Sequence, residues 1–241
     1  MGTTITGMGY YVPPKVLTNF DLEKIVDTSD EWITTRTGIK ERRIANDENV
    51  TQMAYIASLE AIRSARIQPE DIEIILLATL TPELRFPSTA CLLQAKLGAT
   101  KSYAFDISAA CSGFIYGLEL ADAYIRSGKA KNILLVGVEK LSEIVDWQDR
   151  STCVLFGDGA GAAVLELHDG NRGILSTHIH SDGSNWEILY LPGIGAKYPP
   201  SPKTLEARLP YIKMQGREVF KIAVKALADV IIAVSYTHLT L

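Results

Sequence analysis

Apolar positions along this chain follow two alternating patterns. Short runs of apolar residues have the length and branched composition of buried strands; they cover residues 3–8, 73–79, 103–107 and 132–138. Longer segments carry apolar residues three and four positions apart, as amphipathic helices do; they cover residues 49–66, 88–97, 111–126 and 216–233. The alternation predicts an α/β fold with a largely parallel sheet that is covered on both faces.

The pattern is less regular after residue 150. Strands are expected at residues 152–156 and 162–167, joined by the turn GDGAG, and residues 174–180 are expected to begin a second unit. The turn is not expected to bind phosphate, because it lacks the Lys-Ser/Thr ending of a P-loop and joins two strands. The sequence thus predicts a complete N-terminal half over residues 1–170 and the start of a second half over residues 171–233.

The last eight residues, VSYTHLTL, do not continue the apolar spacing of the helix that we expect to stop at Ala233. The same octapeptide is one reading frame of a common transposon sequencing adaptor. We therefore interpret residues 234–241 as a non-native tail, with a short natural tail as the alternative.

Composition and charge exclude several classes of function. Hydrophobic residues make up 47% of the chain and charged residues 22%, which is typical of a soluble globular protein. The net charge of −4 offers nucleic acid no electrostatic footprint, and no apolar run is long enough to cross a bilayer. Three cysteines without a pairing pattern indicate a reducing compartment, so we expect a cytoplasmic protein.

Cys111 is the candidate nucleophile. It follows a predicted strand and lies in the first turn of a predicted helix, within DISAACSGF. Free N–H groups at a helix N-terminus favour a thiolate, and the small neighbouring residues let a substrate carbonyl approach. The alternative is a small core residue, which we expect for Cys91 in a predicted helix and Cys153 in a predicted strand. Position alone leaves both interpretations of Cys111 open.

An aromatic and a cationic side chain share one face of a short helix that Ser29 is expected to open. Trp32 and Arg36 lie four residues apart, which places the indole and the guanidinium together. Such a pair suits stacking on a nucleotide base and pairing with phosphate. The spacing alone favours the alternative, a core tryptophan beside a solvated arginine.

Three separated segments resemble the ketoacyl-acyl-carrier-protein synthase III family. DTSDEWITTRTGIKERRI at 27–44 is similar to its N-terminal signature, DISAACSGF at 106–114 to its active-site motif, and LFGDGAGAAVLE at 155–166 to its glycine-rich turn. The resemblance extends over residues 4–232. It implies a thiolase-like αβαβα fold of five layers, built from two similar halves and acting as a homodimer. In this chain the first half would be complete and the second truncated.

The resemblance also implies the reaction. The enzyme would be an acyltransferase that condenses a short acyl-CoA, commonly acetyl-CoA, with malonyl-acyl-carrier protein, releases carbon dioxide and starts fatty-acid synthesis. Cys111 would carry the acyl group, with the CoA thioester as substrate and no cofactor. A His and an Asn of the second half would stabilise the enolate. We expect both to lie outside this chain, which would then fold poorly and fail to condense substrates.

The histidines of the chain do not match that catalytic His. None of them lies in a Pro-His-Gln-Ala-Asn-like context; they are His168, His178, His180 and His238. His178 and His180 would share one face of a strand, but no third ligand is evident, so no metal site is expected.

Ligand-binding positions follow from the same resemblance. Those that match CoA-contacting positions are Thr28, Trp32, Arg36, Arg150 and Gly216. Those that match the surroundings of the acyl channel are Phe86, Leu141, Phe156 and Phe220. Phe86 would reach across the dimer, where a bulky ring favours short primers. Lys40, Arg42 and Arg43 are open to two interpretations: contacts with CoA phosphates or an acidic carrier protein, or a solvated charged face.

Four functions remain open at this point. The Trp32–Arg36 signature favours the initiating synthase. A related thiolase-fold condensing enzyme of secondary metabolism, such as a hydroxymethylglutaryl-CoA or alkylquinolone-type synthase, would differ in the groups that join the cysteine. A non-catalytic partner of the chain-length-factor kind would lack the nucleophile, and Cys111 counts against it. An unrelated thiol protein would have a peroxide-sensitive Cys111 that acyl-CoA does not label.

Overall fold

The chain divides into two compact units, each assembled from several segments. The computed structural model describes residues 2–170 and 172–239. The first unit takes the described residues of 1–16, 43–140 and 157–177. The second unit takes those of 17–42, 141–156 and 178–241.

The secondary structure alternates along the chain as the apolar pattern predicts. The strands of the described residues are β1 (Gly2–Tyr11), β2 (Lys15–Thr18), β3 (Glu41–Ile44), β4 (Ile74–Ala78), β5 (Tyr103–Ile107), β6 (Asn132–Lys140), β7 (Asp158–His168), β8 (Leu189–Tyr190) and β9 (Lys213–Met214). The helices are α1 (Asn19–Leu22), α2 (Asp30–Thr37), α3 (Val50–Ala65), α4 (Thr89–Leu97), α5 (Gly113–Arg126), α6 (Pro202–Glu206) and α7 (Gly216–Leu239). Several predicted helix starts are confirmed by their caps: the side chains of Ser29, Asn49 and Ser88 accept hydrogen bonds from the first turns of α2, α3 and α4.

A five-stranded sheet with the order β1-β7-β6-β4-β5 lies at the centre of the first unit. β4 runs parallel to β5 and β6, whereas β7 runs antiparallel to both β6 and β1. The sheet is therefore mixed, where the sequence predicted a largely parallel one. The reason is that the chain returns from β6 to β7 without a crossover helix, which only antiparallel neighbours allow.

Helices cover both faces of this sheet. Along β4, Ile75 and Leu77 pack in one buried cluster with side chains of α3 and α4, while Ile74 and Leu76 pack in another with side chains of α5. Successive strand residues point to opposite faces, so the fully buried run follows directly from having helices on both sides. The α/β prediction is confirmed for this unit.

The second unit has a smaller core and more irregular structure. Its buried apolar residues form one cluster from α1, α2, the turns after residue 141 and the segment before β9; they are Leu22, Ile33, Val145, Cys153, Val154 and Ile212. A two-stranded antiparallel sheet of β8 and β9 precedes α7. Within the described residues, no helix combines enough length and apolar character to cross a membrane.

The strand predicted at residues 152–156 is wrong, because this segment forms consecutive turns. The backbone N–H groups of Thr152 and Cys153 donate to the carbonyl of Asp149 at 3.1 and 3.0 Å. The Asp149 carboxylate also accepts from the backbone N–H and the hydroxyl of Ser151, at 2.9 and 2.7 Å. An Asp that closes a turn on its own backbone overrides the strand preference of the residues that follow.

GDGAG is consequently not a turn between two strands. All but its first residue lie within β7. The Asp158 carboxylate accepts a hydrogen bond from the backbone N–H of Ala45 at 2.7 Å, which ties the start of β7 to the residue after β3. This acidic residue has a structural role that the sequence did not reveal.

Two further predictions about the second half are wrong. Residues 174–180 form no strand, so His178 and His180 do not share a strand face. The last helix does not stop at Ala233 but continues to Leu239, because residues 234–239 contain neither the Gly nor the Pro that ends a helix. The side chains beyond Ser235 lie outside the described residues, and the origin of this tail stays a prediction.

Candidate active site

Cys111 lies between β5 and α5, in a 3-10 turn over Ala110–Ser112. The α-helix itself begins at Gly113, two residues later than the sequence predicted. Cys111 is exposed, whereas Cys91 is half-buried and Cys153 is buried. Burial raises the pKa of the Cys153 thiol, as expected for a core cysteine.

Close backbone packing holds the turn that carries Cys111. Ala110, immediately before it, has a φ of 45°, a left-handed conformation that costs a non-glycine residue about 1–3 kcal/mol and persists only where the surroundings enforce it. A Cβ on Gly113 would lie 2.9 Å from the Cβ of Ala78 at the end of β4. Glycine therefore lets the start of α5 approach the sheet.

The two backbone N–H groups that follow Cys111 have partners within the turn: that of Ser112 donates to the carbonyl of Ala109 at 3.2 Å, and that of Gly113 donates to the carbonyl of Ala110. Ser112, at the N-cap position, makes no side-chain hydrogen bond to the first turn of the helix. The first N–H groups of an α-helix have no partner within the helix. Together with the helix dipole, the N–H groups of the first turn after Gly113 can stabilise negative charge on a carbonyl oxygen beside Cys111.

Asp106, at the opposite end of the DISAACSGF segment, anchors β5. Its two carboxylate oxygens accept hydrogen bonds from the backbone N–H groups of Thr89 and Ala90, both at 2.8 Å. A carboxylate at a helix N-terminus is favoured by the free N–H groups and the helix dipole. The acidic residue of this segment thus joins β5 to the start of α4.

Trp32, Arg36 and Arg150 form a cation–aromatic cluster in the second unit. The guanidinium carbons of Arg36 and Arg150 lie 5.1 and 4.5 Å from the centroid of the Trp32 ring. Arg150 donates to the backbone carbonyl of Asp27 at 2.7 Å. The Thr28 hydroxyl oxygen is shielded from solvent and has no hydrogen-bond partner among the described residues. The structure therefore gathers three of the five residues that match CoA-contacting positions, and Thr28 directly follows the Asp27 that Arg150 contacts.

The remaining predicted positions are more dispersed. Gly216 is an exposed residue at the start of α7. Leu141 and Phe156 pack against the same core cluster as Trp32. Phe220 on α7 is 70% exposed, and Phe86, in the first unit, is 85% exposed.

The basic run over residues 40–43 is not a uniform charged face. Lys40 is exposed, and Arg43 donates to the carbonyl of Pro13 at 3.3 Å. Arg42 is only 4% exposed, and its guanidinium bonds to Val154 and Asn19. Both interpretations of the run are therefore wrong for Arg42, because a buried side chain contacts neither CoA phosphates nor a carrier protein and does not lie in solvent.

No metal centre is formed by the side chains that the structure describes. Among those residues, no group of three or more His, Cys, Asp and Glu side chains has a geometry that could hold a metal ion.

Known proteins resemble this chain over nearly its whole length. A sequence model of the family described as 3-Oxoacyl-[acyl-carrier-protein (ACP)] synthase III matches residues 105–183. Beta-ketoacyl-[acyl-carrier-protein] synthase III of Aquifex aeolicus is 59% identical over 230 residues, which are 95% of this chain and 70% of that protein. The chain belongs to the beta-ketoacyl-acyl-carrier-protein synthase III family.

Solved structures of the synthase III family confirm the thiolase-like α/β fold. The crystal structure of the enzyme from Aquifex aeolicus has a TM-score of 0.84 and 60% identity, and the similarity covers 92% of this chain and 67% of that one. The synthase III structure from Pseudomonas aeruginosa has a TM-score of 0.87 and 38% identity, covering 98% of this chain and 70% of the other.

In this member of the synthase III family, sequence reasoning missed a half-buried carboxylate at the end of β6. Glu139 accepts hydrogen bonds from the hydroxyl of Thr81 at 2.6 Å and the backbone N–H of Leu80 at 2.8 Å. Burial raises the pKa of Glu139. The available signal was an acidic residue directly after the apolar run NILLVGV.

A second missed feature is the ion pair between Asp146 and Arg208. The guanidinium donates through Nε to one carboxylate oxygen at 2.7 Å and through Nη2 to the other. This bond lowers the pKa of Asp146. Because the partners lie 62 residues apart, no local pattern could have indicated the pair.

Proposed function

We propose that this protein condenses a short acyl-CoA, with acetyl-CoA as primer, with malonyl-acyl-carrier protein to give 3-ketoacyl-acyl-carrier protein. Membership of the synthase III family supports the reaction class. The observation that carries the proposal is the exposed Cys111 at the start of α5, within the segment that matches the family.

Cys111 is the nucleophile of two half-reactions. Its thiolate attacks the thioester carbonyl of acyl-CoA, the carbon–sulfur bond to CoA breaks, and CoA leaves as a thiol with the proton that Cys111 lost. The malonyl thioester then loses carbon dioxide. Its carbanion attacks the acyl-cysteine carbonyl, which forms the new carbon–carbon bond and releases the Cys111 thiolate. N–H groups at the start of α5 stabilise the oxyanions at Cys111.

The enolate needs further donors. The resemblance assigns that role to a His and an Asn of the second half, and no residue of this chain matches either one. Condensation by this chain alone is therefore expected to fail, whereas acylation of Cys111 requires neither residue. The CoA thioester serves as substrate, so these steps require neither a metal nor a further cofactor.

The nucleotide end of CoA binds at the cation–aromatic cluster. The Trp32 ring offers a face for the adenine, and Arg36 and Arg150 offer positive charge to phosphates. The Thr28 hydroxyl, which has no hydrogen-bond partner among the described residues, can donate a hydrogen bond to CoA. Gly216 lies beside the pantetheine arm. Since the chain has a net charge of −4, an anionic ligand requires such a local basic cluster.

The acyl group lies against Leu141, Phe156 and Phe220, and a second copy of the chain supplies its Phe86. An 85% exposed phenylalanine is explained if a partner subunit covers it. β5 is an edge strand of the sheet and exposes Tyr103, so this edge is available to a second copy. The homodimer acts in the cytoplasm, where its three free cysteines stay reduced.

Labelling of the chain with radioactive acetyl-CoA, followed by peptide mapping, tests the nucleophile. We expect the label on the peptide that contains Cys111, complete loss of label in Cys111→Ser, and full labelling in the control Cys91→Ser. Label that persists in Cys111→Ser would contradict the proposal. A peroxide-sensitive Cys111 that acetyl-CoA does not label would support a thiol-redox function instead. The labelling tests only the first half-reaction. Formation of the 3-ketoacyl product is measured in a separate assay, because the chain spans about 70% of the length of its relative from Aquifex aeolicus.

A further inference from the structure

Arg42 is a cation buried in the core of the second unit. Its bonds go to a backbone carbonyl and a side-chain amide, which carry no formal charge. Burial lowers its pKa, because the charged guanidinium has left water. An apolar side chain of similar size would fill the same space at lower cost. What Arg42 provides and an apolar side chain cannot is a set of N–H donors in fixed directions.

One edge of the guanidinium holds the turns that carry Arg150. Nε and Nη2 both donate to the carbonyl of Val154, at 3.1 and 2.7 Å. Val154 lies in the run of turns that follows Asp149, four residues after Arg150. The path of the backbone at Arg150 is thus tied to Arg42.

The other edge holds α2 through Asn19. Nη1 of Arg42 donates to the Asn19 side-chain oxygen at 2.8 Å, and Asn19 is fully buried. The Asn19 amide nitrogen in turn donates to the Asp30 carboxylate and to the Ile39 carbonyl, both at 2.8 Å. Asp30 begins α2 and Ile39 lies two residues beyond its end. Both ends of the helix that carries Trp32 are therefore held by one amide.

We infer that the buried Arg42–Asn19 pair is a positioning device for nucleotide binding, which sets where α2 and the turns after Asp149 present Trp32 and Arg150. The inference rests on the proposed CoA site. A planar guanidinium donates in two fixed directions, whereas the ammonium group of a lysine is a single point that cannot replace both contacts. Small displacements of a binding group have large effects on how a ligand is held.

Calorimetric titration with 3′,5′-ADP measures nucleotide binding without any chemistry at Cys111. We expect Arg42→Lys, which keeps the charge, to weaken binding about tenfold or more. Asn19→Ser, which shortens the link and leaves the Arg42–Val154 bonds in place, provides a second variant if the first does not fold. The control Arg63→Gln, at an exposed arginine on α3 that is given no part in binding, should change affinity less than about twofold.

A second readout separates positioning from a general loss of structure. The rate of Cys111 acylation is compared between acetyl-CoA and acetyl-pantetheine, which lacks the nucleotide. Positioning predicts that the Arg42 and Asn19 variants lose rate with acetyl-CoA and keep it with acetyl-pantetheine. Equal losses with both thioesters would overturn the inference.

Trp32→Ala distinguishes failure of the inference from failure of the proposed site. If Trp32→Ala weakens 3′,5′-ADP binding and Arg42→Lys and Asn19→Ser do not, the positioning role is wrong and the CoA site stands. If Trp32→Ala itself leaves binding unchanged, the proposed nucleotide site is wrong and the positioning role is wrong with it.

Discussion

The two candidate binding regions of this protein are held in place by different means. Around Cys111, small residues allow close packing: Gly113 lets the start of α5 approach Ala78 at the end of β4, and Ala110 adopts a left-handed conformation nearby. Around Trp32, buried polar side chains bridge segments that lie far apart in the chain, as Arg42 does with Val154. The first arrangement depends on small residues at fixed positions, and the second on donors and acceptors that match.

This difference gives the two regions different sensitivities. Close packing tolerates no added atom, because interiors are dense and backbone cannot move aside as a side chain can. Polar bridges tolerate changes of volume but lose their effect when one partner is removed, since the other is left buried without a bond. The following substitutions test the two means of support, close packing and polar bridges, at other positions of the two units.

Gly9→Ala should have the largest effect on stability. A Cβ at Gly9 in β1 would lie 2.3 Å from the carbonyl oxygen of Ala57 and 2.5 Å from the backbone nitrogen of Ala61, both in α3. Strand and helix would have to separate, so we expect a loss of about 3 kcal/mol in the free energy of unfolding. Urea denaturation followed by circular dichroism measures the loss.

Gly161→Ala is the matched control in the same sheet. Gly161 in β7 pairs with Tyr10, the residue after Gly9, and a Cβ there meets no atom within 4 Å. We expect a change within about 0.5 kcal/mol. If both glycine variants lose the same stability, close backbone packing is not what holds the first unit together.

The regularity of the first unit explains why its elements were predictable. β5 was expected at residues 103–107 and occupies Tyr103–Ile107, and α3 is flanked by the predicted Asn49 and Arg66. Burial against a sheet imposes a period on the sequence, and that period can be read locally. The antiparallel direction of β7 could not be predicted from the sequence, because an apolar run does not indicate which neighbouring strand it pairs with.

The candidate site was predictable only in part. Cys111 and Trp32 stand in local motifs, and the structure places Arg150 over the Trp32 ring. That these residues bind CoA stays a prediction. The buried state of Arg42 depends on the carbonyl of Val154, which lies 112 residues away. Long-range bonds of this kind leave no local pattern, so a basic run was interpreted as surface.

Asp146→Asn should lower the free energy of unfolding moderately, by an amount that depends on pH. Arg208 lowers the pKa of Asp146 below its ordinary value of 3.8, so this pair stabilises the fold above about pH 4 and ceases to do so as the carboxylate is protonated on further acidification. Because Arg208 is partly exposed, we expect a loss of about 1–2 kcal/mol at pH 7. Urea denaturation at pH 7 and below pH 4 measures the loss of stability and its dependence on pH.

The surface pair of Asp122 and Arg126 provides the control for that substitution. These residues lie four apart on α5, with N···O at 2.7 Å and both side chains in contact with solvent. Asp122→Asn should cost about 0.5 kcal/mol or less. A loss as large as that of Asp146→Asn would mean that burial of the carboxylate contributes nothing to the Asp146–Arg208 pair.

Glu139→Gln should have the smallest effect, with the opposite dependence on pH. Burial raises the pKa of Glu139 above its ordinary value of 4.5, so the folded state holds the proton more tightly than the unfolded chain does. The stabilisation that results is complete below about pH 4.5 and is lost as the pH rises through the raised pKa. A glutamine cannot ionise, and its amide can donate to the Thr81 hydroxyl that donates to Glu139 at 2.6 Å.

We therefore expect Glu139→Gln to gain stability relative to the unaltered protein as the pH rises from 4 to 8, by about 1 kcal/mol at most. Urea denaturation across this range measures the difference. A constant difference at every pH would mean that burial does not govern this carboxylate. A slope of the same sign as that of Asp146→Asn would remove the electrostatic contrast between Glu139 and Asp146, since each carboxylate would then be stabilised in its charged form.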